Sequence, residues 1–399
     1  MSRSPGLSPF PHFHTRLLGV CARSLLASLA LAAAFARGAT VAPPSIEDFF
    51  ARAEILSAAI SPDGKQIALV HRQPSGEEGL AVMDADTGTV EPLVTFPSDE
   101  VATHIIHWKG NHYLIYQVIG DIARMGVSWW GKAARLRGYD LEKHEVVDAY
   151  FTRLDSRVHN NYEIRDNPWV LDWLEDRPDE VLVWDAAGQE VYRLDIRTKE
   201  KKFVAAIQDQ PFAKLNVDVA TGVQWRERME KGLIVIELRR SDKADWIKVD
   251  SAAPADVLYP ATTPSTYAGS TAGICYAFRR PPTGPTSLVT FDPASGAFGP
   301  SLHDFVHDDA IMLLCSPGGH RFYGIEDGWT YHWFDPERAR LQAMIDSALP
   351  GTFNRVEYSS TDETRLIISA TSDRAPQAWL FLDRTNKRMK VLFHCIDRL

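Results

Sequence analysis

A serine that carries acyl transfer in an α/β-hydrolase needs the G-x-S-x-G elbow, because the strained strand-to-helix turn brings backbones too close for larger flanking side chains. Two stretches approach that pattern. Gly126-Val127-Ser128-Trp129-Trp130 puts Trp where the second Gly is required, and it sits in an inserted hairpin loop rather than before an amphipathic helix. Gly269-Ser270-Thr271-Ala272-Gly273 places its Ser one position early. Neither builds an elbow, so no catalytic residue is assigned.

Histidines offer two metal-ligand patterns. His104 and His107 fall on opposite sides of an extended segment and His112 lies past the following turn, which reads as surface or core histidines. His303 and His307, with Asp308-Asp309, are better spaced, since an i, i+4 pair on a helical turn can share an ion. That stretch nevertheless reads as a connection between two repeats, and no metal or cofactor is assigned.

Two groups could bind a partner instead. Trp129 and Trp130, flanked by Arg124 and Lys132, combine paired aromatics with cations, as interfaces do, or else both tryptophans pack on the domain's own face. Glu175, Asp176, Asp179 and Glu180 form an acidic turn that reads either as a receptor for a peptide amino terminus or as a solvated hairpin end.

The elements that hold these residues repeat. In Ser57–Val70 (SAAISPDGKQIALV), Pro62-Asp63-Gly64 is a turn: Pro presets φ, Asp bonds its own backbone and Gly accepts positive φ. After it, Ile67 and Leu69 share one face and Ala68 and Val70 the other, so the strand is apolar on both sides and suits burial between two layers. Leu80–Asp84 and Val90–Thr95, joined by Asp86-Thr87-Gly88, complete a four-stranded antiparallel unit. Comparable units recur to Phe393, the sixth ending on a strand over Ala339–Met344. Asp84, Asp140, Asp195, Asp292, Asp335 and Asp383 mark their phase. The expected fold is all-β: a seven-bladed β-propeller of four-stranded antiparallel blades over residues 55–395, with a lead-in at 37–54 and a short tail at 396–399.

Residues 1–36 read differently. Arg3, Arg16 and Arg23 come without any acid, the apolar run Leu25–Phe35 is too short to span a bilayer, and Ala34-Phe35-Ala36 offers a cleavage site. This is the pattern of a signal peptide, which implies a periplasmic or secreted protein without stable membrane insertion. Its removal takes three arginines and no acid, and carries the formal net charge from −9 to −12. Such a charge disfavours a nucleic-acid partner. Cys275, Cys315 and Cys395 then remain, with no C-x-x-C spacing, and read as free thiols, although export would permit one disulfide.

Three segments carry a family resemblance: Ser57–Val70; WVLDWLEDRPDEVLVW at Trp169–Trp184 with VYRLDIRTKE at Val191–Glu200; and SSTDETRLIISATSDRAPQAWLFLDRTNKRMKVL at Ser359–Leu392. They resemble the N-terminal propeller of the prolyl oligopeptidase family of serine peptidases, in its acylaminoacyl-peptidase and dipeptidyl-aminopeptidase branch. In that family an α/β-hydrolase domain follows the propeller and holds the Ser, Asp and His; this sequence stops at Leu399, where that domain would begin. The resemblance implies the non-catalytic, substrate-filtering half of a serine oligopeptidase, with peptides or a hydrolase domain as partners. The alternative is a stand-alone propeller that binds peptides or proteins.

Overall fold

Ser61 and Asp63 shape the first hairpin locally. Ser61 Oγ donates to Asp63 Oδ1 (2.7 Å) and accepts from the Gln66 amide (3.0 Å), Asp63 Oδ1 accepts from the Lys65 amide (3.0 Å), and the Gly64 amide reaches Ser61 O (2.8 Å). The same turn recurs near the end of the chain. Ser360 Oγ donates to Asp362 Oδ1 (2.6 Å) and accepts from the Arg365 amide (3.1 Å), with Glu363 at φ 55° where the first turn has Gly64 at φ 73°.

The computed structural model describes residues 53–395 except 99, 122–131, 151–153, 156–162, 165–167, 186–189, 207–213, 219, 242, 253–265, 272, 281–284, 307–310 and 317–320. The described residues all fall in one compact unit, Arg52–Leu399. The expected signal segment, most of the lead-in and the tail at 396–399 lie outside the described residues.

Residues Ile55–His394 form a seven-bladed β-propeller whose antiparallel blades each take consecutive strands from the chain. Blade one is β1 (Ile55–Ile60), β2 (Gln66–Arg72), β3 (Glu78–Asp84) and β4 (Val90–Thr95). Blade two is β5 (Glu100–Lys109), β6 (Tyr113–Asp121), β7 (Lys132–Asp140) and β8 (Glu145–Tyr150); a small hairpin of β9 (Leu154–Asp155) and β10 (Glu163–Ile164) follows. Blade three is β11 (Pro168–Asp172), β12 (Glu180–Asp185), β13 (Glu190–Asp195) and β14 (Lys201–Ala206). Blade four is β15 (Lys214–Val217), β16 (Gln224–Glu230), β17 (Leu233–Arg239) and β18 (Ile247–Ala252). Blade five is β19 (Thr266–Thr271), β20 (Ile274–Arg279), β21 (Ser287–Asp292) and β22 (Ala297–Asp304). Blade six has β23 (Ile311–Cys315), β24 (Phe322–Asp327) and β25 (Thr330–Trp333), and blade seven has β26 (Phe353–Ser359), β27 (Arg365–Thr371), β28 (Ala378–Asp383) and β29 (Arg388–His394).

Blade six departs from the expected pattern. Where the sequence suggests a fourth strand over Ala339–Met344, the chain forms helix α1 (Pro336–Ala348). Asp335 decides this: its carboxylate accepts from the Glu337 and Arg338 amides, both at 2.9 Å, Pro336 follows at the helix start, and Glu337 puts an acid in the first turn. At Asp84 and Asp195 the same i+2 and i+3 amide bonds close a hairpin instead. One local motif thus serves two outcomes. Downstream, Leu341 and Ile345 lie one turn apart and fill the interface with blade seven.

The core consists of layers between blades. Ile67 and Leu69 of β2 pack toward blade seven, against Ile367 and Phe381, while Ala68 and Val70 pack toward blade two, against Trp108 and Leu114. Blades two and three meet at Ile115 and Val183, three and four at Leu182 and Leu215, four and five at Leu238 and Val289, five and six at Leu288 and Ile325, six and seven at Ile345 and Ile368. Seven interfaces therefore close a ring. Burying a side chain of this size contributes about 1.5–3 kcal/mol, which makes the interfaces, rather than any one sheet, the main source of stability. Among the described residues no strand is exchanged where the ring closes: the Glu54 amide meets Cys395 O (3.1 Å) and the Thr361 amide meets Pro62 O (2.8 Å).

Candidate functional site

The first strand of each blade lies at one edge of its sheet, and five blades bring those edges, or the turn that follows them, around one cavity of about 230 Å³. Its wall includes Ile60 of blade one, His107 and Trp108 of blade two, Glu175 of blade three, Cys315 of blade six, and Glu357 and Tyr358 of blade seven. Strands at the opposite edges, such as β4, are mostly exposed. The axis of the ring is therefore where chemistry from distant sequence positions converges.

Glu175 is fixed from blade two. His107 Nε2 lies 2.7 Å from Glu175 Oε1, and the His107 ring stacks on Trp173 with centroids 4.1 Å apart and planes 9° from parallel. Lys109, buried at 3% exposure, donates through Nζ to Trp173 O and to Leu174 O (2.9 Å). Asp172 Oδ1 accepts from the Leu174 amide (2.7 Å), which supports Leu174 at its φ of 50°. Burial works to raise the Glu175 carboxyl, but the close His107 contact and its charge, with Lys109, overcome it and hold the group below the usual range. Glu175 is thus an ionised carboxylate at the cavity wall with about a third of its side chain exposed (32%).

The opposite wall is also charged. Burial pushes the Glu357 carboxyl up, although Ser369 Oγ donates to it (2.5 Å) and Arg355 lies near. Arg355 itself pairs with the buried Glu326. Arg338, on α1, lines this cavity and a second one of about 240 Å³ toward blade six. Its guanidinium packs over the Tyr323 ring at 4.4 Å, and burial lowers its pKa to about 10. Arg338 Nη1 has no hydrogen bond and meets Glu363 Oε2 only at 3.9 Å.

Of the residues singled out from sequence, His107, Cys315 and Glu175 reach this cavity. Asp176 is exposed in the same turn, Asp179 pairs with Arg197 (2.8 Å), and Glu180 opens β12 with Arg177, Arg193 and Lys202 around it. Arg124, Trp129 and Trp130 lie outside the described residues, and so does Ser128. Lys132 opens β7, paired in register with Asp121. Ser270 sits on β19 opposite Cys275, before a hairpin turn rather than a helix. Among the described residues Cys275, Cys315 and Cys395 form no disulfide. His112 Nδ1 lies 3.6 Å from Glu142 Oε1, both exposed.

His303 corrects the sequence reading in a different way. It lies on β22, which continues through Asp304, and not on a helical turn or a connection; His307, Asp308 and Asp309 lie outside the described residues. Its neighbours are Asp327 and His332. Neither they nor Glu357 and Arg338 could be picked from spacing, because each is brought in by a different blade or strand.

No protein-family model and no curated protein matches the sequence. Solved structures do resemble it. A prolyl endopeptidase studied for inter-domain dynamics in catalysis and specificity aligns at 12% identity and a TM-score of 0.49, covering 90% of this chain and 53% of that one. A post-proline cleaving enzyme from Rickettsia typhi aligns at 9% identity and 0.47, covering 83% and 52%. The β-propeller domain of the Trilobed protease from Pyrococcus furiosus, described as having an open velcro topology, aligns at 10% identity and 0.48, covering 87% of this chain and 100% of that one. The chain spans about half the length of the first two. The fold itself rests on the strand order and inter-blade layers above.

Proposed function

We propose that this propeller is a non-catalytic module that admits and holds short peptides at its axis, of the kind that filters substrate for a serine oligopeptidase. The supporting observation is the ionised Glu175 carboxylate, set into the axial wall by His107 and Lys109 and facing a cavity too small for a folded chain. A peptide amino terminus is the complementary group, and a charge-assisted hydrogen bond to it contributes about 1.5–3 kcal/mol. The hydrolase domain that such a filter would serve is part of the proposal. Fold alone decides no function.

The test is fluorescence anisotropy of the full chain with a short labelled peptide, free or acetylated at its amino terminus. The free peptide should bind roughly tenfold more tightly, and Glu175→Gln should remove that preference while leaving the fold intact by circular dichroism. Equal binding of both peptides, unchanged by Glu175→Gln, would defeat the reading. A fluorophosphonate probe should leave the chain unlabelled; stoichiometric labelling would place the protein among the enzymes.

A further inference from the structure

His303, Asp327 and His332 come together across the interface between blades five and six. His303 is opposite Leu288 in the β21–β22 register and therefore shares the face on which Leu288 enters the interface core. On blade six, Asp327 is opposite Thr330 and His332 is opposite Ile325, so Asp327 and His332 share the face of Ile325, which enters the same core. Strand alternation alone thus directs all three side chains into one seam.

The geometry within the seam is that of a ligand set. One donor atom from each residue lies within 4.8 Å of the others. His303 Nε2 is 3.4 Å from Asp327 Oδ2, and the two imidazole centroids are 4.0 Å apart. Asp327 is 2% exposed, and its Oδ2 is oriented by the Val306 amide at 2.9 Å. Among the described residues the ring nitrogens of His332 have no hydrogen-bond partner. Two adjacent imidazoles gain nothing from each other, since both cannot carry a charge beside one another without repulsion, yet both offer a lone pair beside a carboxylate.

We propose that His303, Asp327 and His332 are the protein ligands of a divalent transition-metal site, with zinc the best chemical match, that staples blade five to blade six. Two imidazoles and one carboxylate suit zinc, whose ligands stand at about 2.0–2.2 Å in a tetrahedron with water free to take the fourth place. Ligand atoms around such an ion stand roughly 3.3–3.5 Å apart, and His303 Nε2 and Asp327 Oδ2 already have a separation of 3.4 Å. The location gives the site a purpose. Among the described residues blade six has three strands, and β25, its outermost, is four residues long with no fourth strand beside it. A metal bridge from His332 to His303 would anchor that edge to its neighbour, and binding energy of this kind adds directly to folding stability.

Cobalt titration of the untagged, chelator-treated full chain, read by visible d–d absorption, tests this. The expected result is one saturable equivalent with an intense tetrahedral band, displaced by zinc, and a thermal midpoint raised by zinc. Asp327→Asn and His332→Asn should each weaken cobalt binding at least tenfold, and His112→Ala should leave it unchanged. His332→Cys guards against a mere folding defect: it keeps a ligand, and should retain binding and add a thiolate-to-cobalt charge-transfer band in the near ultraviolet. Absence of saturable binding, or binding that His332→Asn leaves intact, overturns the proposal.

Discussion

Arg365 on β27 reaches Asp86 beyond β3, 279 residues earlier, through Nη2 to Oδ1 at 2.9 Å. The same guanidinium donates through Nη1 to Gly64 O (3.0 Å), lies 3.6 Å from Asp383, and packs over Phe381. Glycine suits position 64 on two counts, its φ of 73° and the Arg365 Cδ that a Cβ would meet at 2.7 Å, although Glu363 takes a similar φ in the matching turn. The Arg365 side chain therefore ties blade seven to blade one where the ring closes. Arg365→Ala should cost about 2 kcal/mol in urea unfolding, because it strips a charged donor from a partly buried carbonyl as well as packing. Asp86→Ala should cost under about 0.5 kcal/mol, since that carboxylate is 62% exposed. Equal losses would show that the ion pair, and not the carbonyl bond, closes the ring.

Trp108 joins blades one and two in a similar way, with Nε1 donating to Ala59 O at 2.9 Å in a buried setting. Phe fills most of the same volume but leaves that carbonyl unpaired. Trp108→Phe should therefore lower stability by about 1–3 kcal/mol. A denaturant midpoint unmoved from wild type would mean that water reaches Ala59 O.

Asp335 is the switch that makes blade six end in a helix. Asp335→Ala removes the N-cap and the partner of Arg321, and should cost about 1–2 kcal/mol with a loss of helical circular dichroism. Asp335→Asn keeps an acceptor for the Glu337 and Arg338 amides and should recover most of that loss. If both variants fall equally, the Arg321 ion pair, and not capping, holds this corner.

The sequence makes the blades legible because their turns are local. Ser61 and Asp63 bond within their own hairpin, and the alternation of Ile67 and Leu69 with Ala68 and Val70 sends each pair to a different neighbouring blade, as the pattern predicts. Ala339–Met344 misleads because its short alternation resembles a strand, while the deciding residues, Asp335 and Pro336, stand before it. The axial site is less legible still. Glu175 belongs to a visible acidic turn, but its partner His107 is supplied by another blade, and Glu357 faces the same cavity only because the ring closes. No spacing rule links positions that separate blades bring to one axis.

Glu357 gives the last prediction, and its sign follows from burial. The folded carboxyl is held above its ordinary value of 4.5, so the native state keeps a proton that the unfolded chain has already released. Below the ordinary value both states are protonated and the residue costs nothing. As pH rises from there through the folded value, stability falls, because the native state must ionise a group that burial disfavours. Glu357→Gln removes that cost and keeps an acceptor for Ser369 Oγ. At neutral pH the variant should be more stable than wild type, and at about pH 3 it should match it. Thermal midpoints at the two pH values decide the matter: a variant less stable than wild type at neutral pH would mean that Arg355 holds an ionised Glu357 more strongly than burial opposes it.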